Sequence, residues 1–345
     1  MGKVKDEVLF GLIRDYLLIY LPNQRHASVN TVKNYRTTWN QFLRFIAGRK
    51  KIRITAVTFD MISYNTVSEY LTWLSDEKQV SPSTKNNRLA AIRAFLDYAA
   101  ACHPEYVSLS GQLETIKIQK KPRFAKIDYM SEEAVKAIIE IPDPHTCDGL
   151  RDQFFMIFLY DTGARVQEVL NVRLCDIRLG KTPTVILHGK GSKSRTVPLM
   201  QNTVEHLKNY MSVFHKSVPI ESTEYLFYVD RKGSRNQMND DTARLHLQKY
   251  AAAAREICPE VPENIHPHLW RHTRAMHLYQ HGMDLTLISQ WLGHSKLETT
   301  QIYAYADTEA KRKAIERAMS TSPETDTIET YKVSDEDLLR KLYGL

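Results

Sequence analysis

Cysteine is scarce in this chain. Its 4 cysteines in 345 residues, Cys102, Cys147, Cys175 and Cys258, include no C-x-x-C pair. That spacing excludes a disulfide-stapled scaffold and a zinc ribbon, and leaves reduced, structural thiols as the expectation. Long apolar runs are missing too. The opening stretch MGKVKDEVLFGLIRDYLLIYLP is split by Arg14 and Asp15, so it reads as an amphipathic helix rather than a signal peptide or membrane span. No internal repeat or low-complexity tract stands out, which sets aside solenoid and fibrous architectures. What is present is a 43% apolar composition, enough to build cores in two ordinary domains.

A formal charge of +7 is a weak hint of an anionic partner, but its distribution says more. Residues 1–128 carry 20 Lys and Arg against 11 Asp and Glu, residues 129–319 carry 24 against 23, and residues 320–345 carry 3 against 6. A basic arm on a nearly neutral body suits a phosphate backbone as partner. The first third reads as four helices. In the run after Ser28, apolar Val32, Tyr35, Trp39, Phe42, Leu43 and Ile46 recur at three- and four-residue steps, with Lys33 and Arg36 off the stripe. In PSTKNNRLAAIRAFLDYAA, Leu89, Ile92, Leu96 and Ala99 form the apolar side while Lys85, Arg88 and Arg93 stay available.

Residues 117–128, KIQKKPRFAKID, hold five cations around Pro122 and read as an extended basic connector containing Lys120, Lys121 and Arg123. The expected organisation is therefore residues 1–116, a linker over 117–128, a second domain over 129–319 and a tail over 320–345. In the second domain, Ser131 opens a helix to about Ile141. A buried helix then stops at Asp161-Thr162-Gly163, and another begins near Ala164. TVILHGKGSKSRTVPL alternates like a hairpin turning through Gly189 to Lys193, and YLFYV reads as a further strand before a polar loop. In the tail, Ser334 caps a short helix with Leu338, Leu339, Leu342 and Tyr343 on one side.

Four segments bring cations, histidines and a tyrosine where neither periodicity nor turn chemistry requires them: TGARVQEVL, HGKGSKSRTVPL, HPHLWRHT and LGHSKLETTQIYAYA. Together and in this order they resemble the tyrosine recombinase or phage-integrase family, the Xer-type recombinases most of all. The resemblance spans about residues 10–319, weakly in the first third. It implies a mainly α protein: an N-terminal SAM-like four-helix core-binding domain, and an α-helical catalytic domain with a small antiparallel β-sheet. The family's catalytic set falls on Arg165, Lys190, His268, Arg271, His294 and Tyr303, with Glu168 supporting Arg165. Lys33, Arg36, Lys85, Arg88, Arg93, Lys120, Lys121, Arg123, Lys193 and Arg195 are the candidate DNA contacts.

Elementary chemistry supports the set. An oxygen nucleophile attacking a phosphodiester builds negative charge on the non-bridging oxygens, so fixed cations there lower the barrier. Arginine's planar fork bonds two such oxygens at once, which suits Arg165 and Arg271. His268, three residues before Arg271 and on the same helix side, can bond the phosphate or take the nucleophile's proton. A tyrosine hydroxyl with an ordinary pKa of about 10 needs such neighbours to attack. The resemblance gives Lys190 the role of protonating the leaving oxygen. It also implies a 3′-phosphotyrosine with a free 5′ hydroxyl, and a reaction with no metal and no other cofactor.

Several readings compete. Lys193 could replace Lys190. His266, His268 and His272 could hold a metal, though no H-E-x-x-H or cysteine pair accompanies them; otherwise His266 and His272 are supporting or structural. Tyr305 is a decoy two residues beyond Tyr303, since only Tyr303 stands nine residues after His294. Trp270, Tyr279 and Trp291 read as core. The expected function is strand exchange between two sites on double-stranded DNA, closed on by both domains, with mobile-element integration, transposition or excision favoured. The rivals are a type IB topoisomerase and a DNA-binding regulator that does not cleave. The expected partners are DNA, further copies of the chain (a dimer per site, a tetramer in synapsis, the tail helix docking on a neighbour) and accessory proteins where required. A cytoplasmic, nucleoid-associated protein follows, with no membrane partner.

Overall fold

Ser-x-x-Thr caps start three helices of the first third. Ser28, Ser63 and Ser81 each accept a hydrogen bond from the backbone N–H three residues on, at Thr31, Thr66 and Thr84. The structure is a computed structural model that describes residues 4–118, 128–189, 193–231, 233–294, 298–306 and 312. The chain divides into two compact units, Met1–Arg123 and Phe124–Leu345. Of the expected features, Lys190, Lys120, Lys121, Arg123 and the tail helix lie outside the described residues.

The first unit holds α1 (Glu7–Asp15), which runs on into a π-helical stretch over Tyr16–Gln24, then α2 (Val29–Lys50), α3 (Tyr64–Asp76), α4 (Pro82–Cys102) and α5 (Val107–Glu114). Its core contains the stripes read from the sequence, with Trp39, Phe42, Phe95 and Leu96 all but inaccessible. The sequence reading missed α5, a short segment without a side-chain cap and with Gly111 inside it. Tertiary contact completes it: Arg93 on α4 donates to the carbonyls of Leu113, Glu114 and Ile116 at its C-terminal end.

In the second unit, α6 (Glu132–Glu140) precedes α7 (Cys147–Thr162), whose Phe154, Phe155 and Phe158 pack with Tyr210 and Phe227 in the main core. The helix after the turn is α8 (Val166–Leu170), with Arg165 at its N-cap rather than inside it. The expected hairpin is part of a three-stranded antiparallel sheet, β1 (Ile177–Arg178), β2 (Thr184–His188) and β3 (Ser194–Pro198), in that order. Leu187 pairs with Arg195 and His188 with Ser194. After α9 (Gln201–Phe214), the strand expected over residues 225–229 is shifted. Tyr225 makes an isolated bridge to Arg173, and β4 (Tyr228–Arg231) pairs with β5 (Ser234–Gln237), which takes up part of the expected polar loop. Then come α10 (Asp240–Arg255), α11 (Pro267–Gln280), α12 (Leu285–Leu292) and α13 (Glu298–Ala306). No helix among the described residues is long and apolar enough to cross a membrane.

Candidate active site

Two left-handed glycines shape the ground on which the site is built. Gly163 ends α7 at φ 56°, and Gly293 ends α12 at φ 66°. A side chain at Gly293 would also collide with Arg195, whose Cδ lies 2.9 Å from where a Cβ would stand. These turns present carbonyls inward, and arginines take them up. Arg271 on α11 donates to Gly163 O at 2.8 Å and Leu292 O at 2.6 Å, while Arg195 on β3 donates through Nε to Trp291 O at 2.8 Å. Trp291 in turn donates its indole N–H to Thr162 O. The TGAR turn, the LGH turn, α11 and β3 are thereby tied together.

Glu168 is the acidic centre of this arrangement and is 4% exposed. Its Oε2 accepts from the backbone N–H of Arg165 at 3.0 Å and from Arg195 at 2.8 Å, and its Oε1 accepts from the Arg165 guanidinium at 2.8 Å. Burial alone would raise its pKa. The hydrogen bonds and charge of Arg195, together with Arg165, outweigh that and hold the carboxyl below the usual range. Two arginines share this carboxylate, and the buried Arg271, which bonds only carbonyls but feels the charge of all three groups, brings a third cation to the same place. Arg271 shows the consequence: burial first, then the charges of Arg165 and Arg195, push its pKa down to about 10. With one N–H of each terminal nitrogen given to a carbonyl, three of its five donors remain for a ligand.

The histidines and tyrosine border these cations. His268 keeps an exposed edge, yet desolvation followed by the charges of His266, Arg271 and Arg165 lowers its pKa. His294 bonds the hydroxyl of Thr300 through Nδ1 at 2.8 Å, and is brought down to about 4 by burial, Arg271 and Arg165. Tyr303 on α13 is 0% exposed and packs with Ala275, Met276, Ile288 and Leu292. Its hydroxyl lies 3.0 Å from His272 Nδ1. Burial pushes its pKa up to about 12, with Arg271 acting in the opposite direction. Arg271 thus acts on His268, His294 and Tyr303, and Arg165 on His268, Arg271 and His294, which gathers the five residues around one locality.

The other expected residues have varied placements. His266 caps α11, its Nδ1 accepting from Leu269 N. Trp270 is fully buried, and Tyr279 and Trp291 are partly so. Lys33, Arg36 and Lys193 are exposed, whereas Lys85 donates to Ser75 and Arg88 to Thr38. Arg93 is largely consumed by the end of α5, so its geometry answers to folding rather than to DNA. Arg195, read as a DNA contact, is instead joined to Glu168 and the LGH turn. His272, read as supporting or structural, touches the tyrosine hydroxyl. Its i+4 spacing from His268 was the signal available. Among the described residues no group of histidine, cysteine and acidic side chains could hold a metal ion.

Comparison with known proteins places this arrangement. Residues 128–310 match the phage integrase family, and residues 14–103 match the phage integrase N-terminal SAM-like domain. The chain belongs to the phage integrase family. These are the tyrosine recombinases, enzymes that break and rejoin DNA strands. The tyrosine recombinase XerD of Vibrio cholerae is 32% identical over 286 residues, covering 83% of this chain and 89% of the relative. The tyrosine recombinase XerA of Pyrococcus furiosus is 30% identical over 268 residues, covering 74% and 88%. The fold matches the XerH site-specific recombinase in its post-cleavage complex with a palindromic difH substrate, at a TM-score of 0.65 and 22% identity over 94% of this chain and 91% of the other. It also matches the Tn1549 transposon integrase bound to transposon right-end DNA, at a TM-score of 0.61 and 15% identity over 89% and 99%.

Proposed function

We propose that this recombinase exchanges strands between two double-stranded DNA sites through a 3′-phosphotyrosine on Tyr303. The observation that carries this is the excess of positive charge around Glu168 and Arg271, with Arg271 acting on Tyr303. A phosphodiester seated there would neutralise the excess, and the transition state, with more charge on its oxygens, would gain further. Arg165 and Arg271 clamp the non-bridging oxygens and His294 donates to one of them. As the Tyr303 oxygen bonds to phosphorus, the bond from phosphorus to the 5′ oxygen breaks, and Lys190 protonates the departing oxygen. A 5′ hydroxyl from a partner strand then reverses the step, so the bond energy stays in the covalent link.

Two copies of the chain bind each site and four form the synapse in this reading, with mobile-element integration, transposition or excision as the task. The direct experiment incubates the protein with end-labelled duplex DNA from its own genetic neighbourhood and maps the covalent junction. A 3′-linked protein adduct opposite a free 5′ hydroxyl is expected, followed by products joining strands from two duplexes. A 5′ linkage, or relaxation of supercoiled DNA with no joint product, would contradict the proposal.

A further inference from the structure

Helix α11 offers the tyrosine two histidines. His268 and His272 are one turn apart on the same side, with Arg271 beside them. The proton-acceptor role suits His268 on sequence grounds, yet the group in hydrogen-bond contact with the Tyr303 hydroxyl is His272, Nδ1 to Oη at 3.0 Å. His268 makes no hydrogen bond among the described residues and keeps an exposed edge, whereas His272 is partly buried against α13. The His272 and Tyr303 rings also pack, with centroids 5.9 Å apart. A general base must reach the proton it removes, and this one already does.

We infer that His272 holds the Tyr303 hydroxyl in place for attack and accepts its proton during DNA cleavage. The inference rests on the strand-exchange reading above and adds to it the identity of the base. The protonation states set which of the two donates in this hydrogen bond. Burial keeps the phenol protonated, its pKa at about 12, and burial with the charges of His268, Arg271 and His266 keeps His272 neutral, near 4. The phenol therefore donates, and the ring proton sits on Nε2. The groups facing His272 are His266, His268 and Arg271 from its own helix and cap, Tyr303 from α13, and His294 after α12. A phosphodiester anion between Arg271 and Arg165 offsets the positive charge that depresses His272 and so raises its basicity when DNA is bound. In the step itself the Oη–H proton passes to Nδ1 as the Oη–P bond forms and the P–O5′ bond breaks. The leaving oxygen takes a separate proton from Lys190, and the imidazolium returns its proton to Tyr303 in the rejoining step.

The experiment follows adduct formation in a single turnover on a nicked duplex carrying the cleavage site mapped for the wild-type chain, across pH 6 to 9.5. Two variants are compared, His272→Ala and His272→Asn. The asparagine keeps a polar group where Nδ1 stands but takes up no proton. Both are expected to bind the duplex as wild type does and to form adduct about 100-fold or more slowly at neutral pH. Their rates should keep climbing with pH where wild type levels off. A His272→Asn variant that cleaves at the wild-type rate with the wild-type pH profile overturns the inference and leaves the recombinase reading intact. A wild-type chain that forms no adduct through Tyr303 overturns both.

Discussion

Lys33 and Arg36 extend from α2 of the first unit into solvent, whereas Arg271 of the second unit is 3% exposed and spends two of its N–H groups on the carbonyls of Gly163 and Leu292. A solvated cation follows a phosphate backbone at little cost, because it gives up water only on binding and needs no fixed geometry. A buried one is costly in the free protein, as the lowered pKa of Arg271 records, and survives because turn carbonyls fix it. The cost becomes useful once charge develops on a ligand, since the donors are already aimed and need no reorganisation. In the proposed strand exchange the first unit would supply affinity, and the second the electrostatic tension for chemistry.

Substitutions can break that contrast, beginning where the tension is greatest. Arg271→Lys removes the planar fork while keeping the charge, and is expected to cut the rate of adduct formation by about 10²–10³-fold while DNA binding is largely kept. Single-turnover cleavage alongside a gel-shift titration checks this. Glu168→Gln leaves Arg165 and Arg195 without their shared anion and should lower the unfolding free energy by about 3 kcal/mol in denaturant titrations. The wild-type carboxyl is held below its ordinary pKa when folded, so its contribution is present above that ordinary value and lost as pH falls through the folded one. The variant should therefore show a flatter decline in stability on acidification below about pH 4.5.

The remaining substitutions sharpen the contrast within the first unit. Arg93→Ala, which strips the end of α5 of its donors, is expected to cost about 1–2 kcal/mol of stability and to leave the salt dependence of DNA binding unchanged. Lys33→Ala and Arg36→Ala should do the reverse. Each is expected to reduce the slope of log affinity against log salt by about 0.9, with no change in melting temperature.

Much of this arrangement was legible in the sequence, and the reasons differ by feature. The helices of the first unit were readable because their apolar stripes and Ser-x-x-Thr caps are local signals. Helix α5 was not, because its C-terminal end depends on Arg93, some twenty residues earlier. The four motif segments, in their order along the chain, carried the resemblance, and the resemblance assigned roles to residues that the structure brings near one another. The employment of Arg195 was hidden: a hairpin arginine looks solvent-facing until Gly293 and Trp291, nearly a hundred residues on, are folded against it. His272 was undervalued because its partner comes from another helix, a contact that periodicity along α11 does not report.

The central claim is that the Tyr303 oxygen is the atom that bonds to DNA phosphorus. Digesting the trapped protein–DNA adduct with a protease and a nuclease, and sequencing the modified peptide by mass spectrometry, reads that atom's residue directly. The account predicts a nucleotide on Tyr303, and no adduct from a Tyr303→Phe chain that still binds DNA. A nucleotide on Tyr305 or any other residue, or an adduct that persists in Tyr303→Phe, would contradict it.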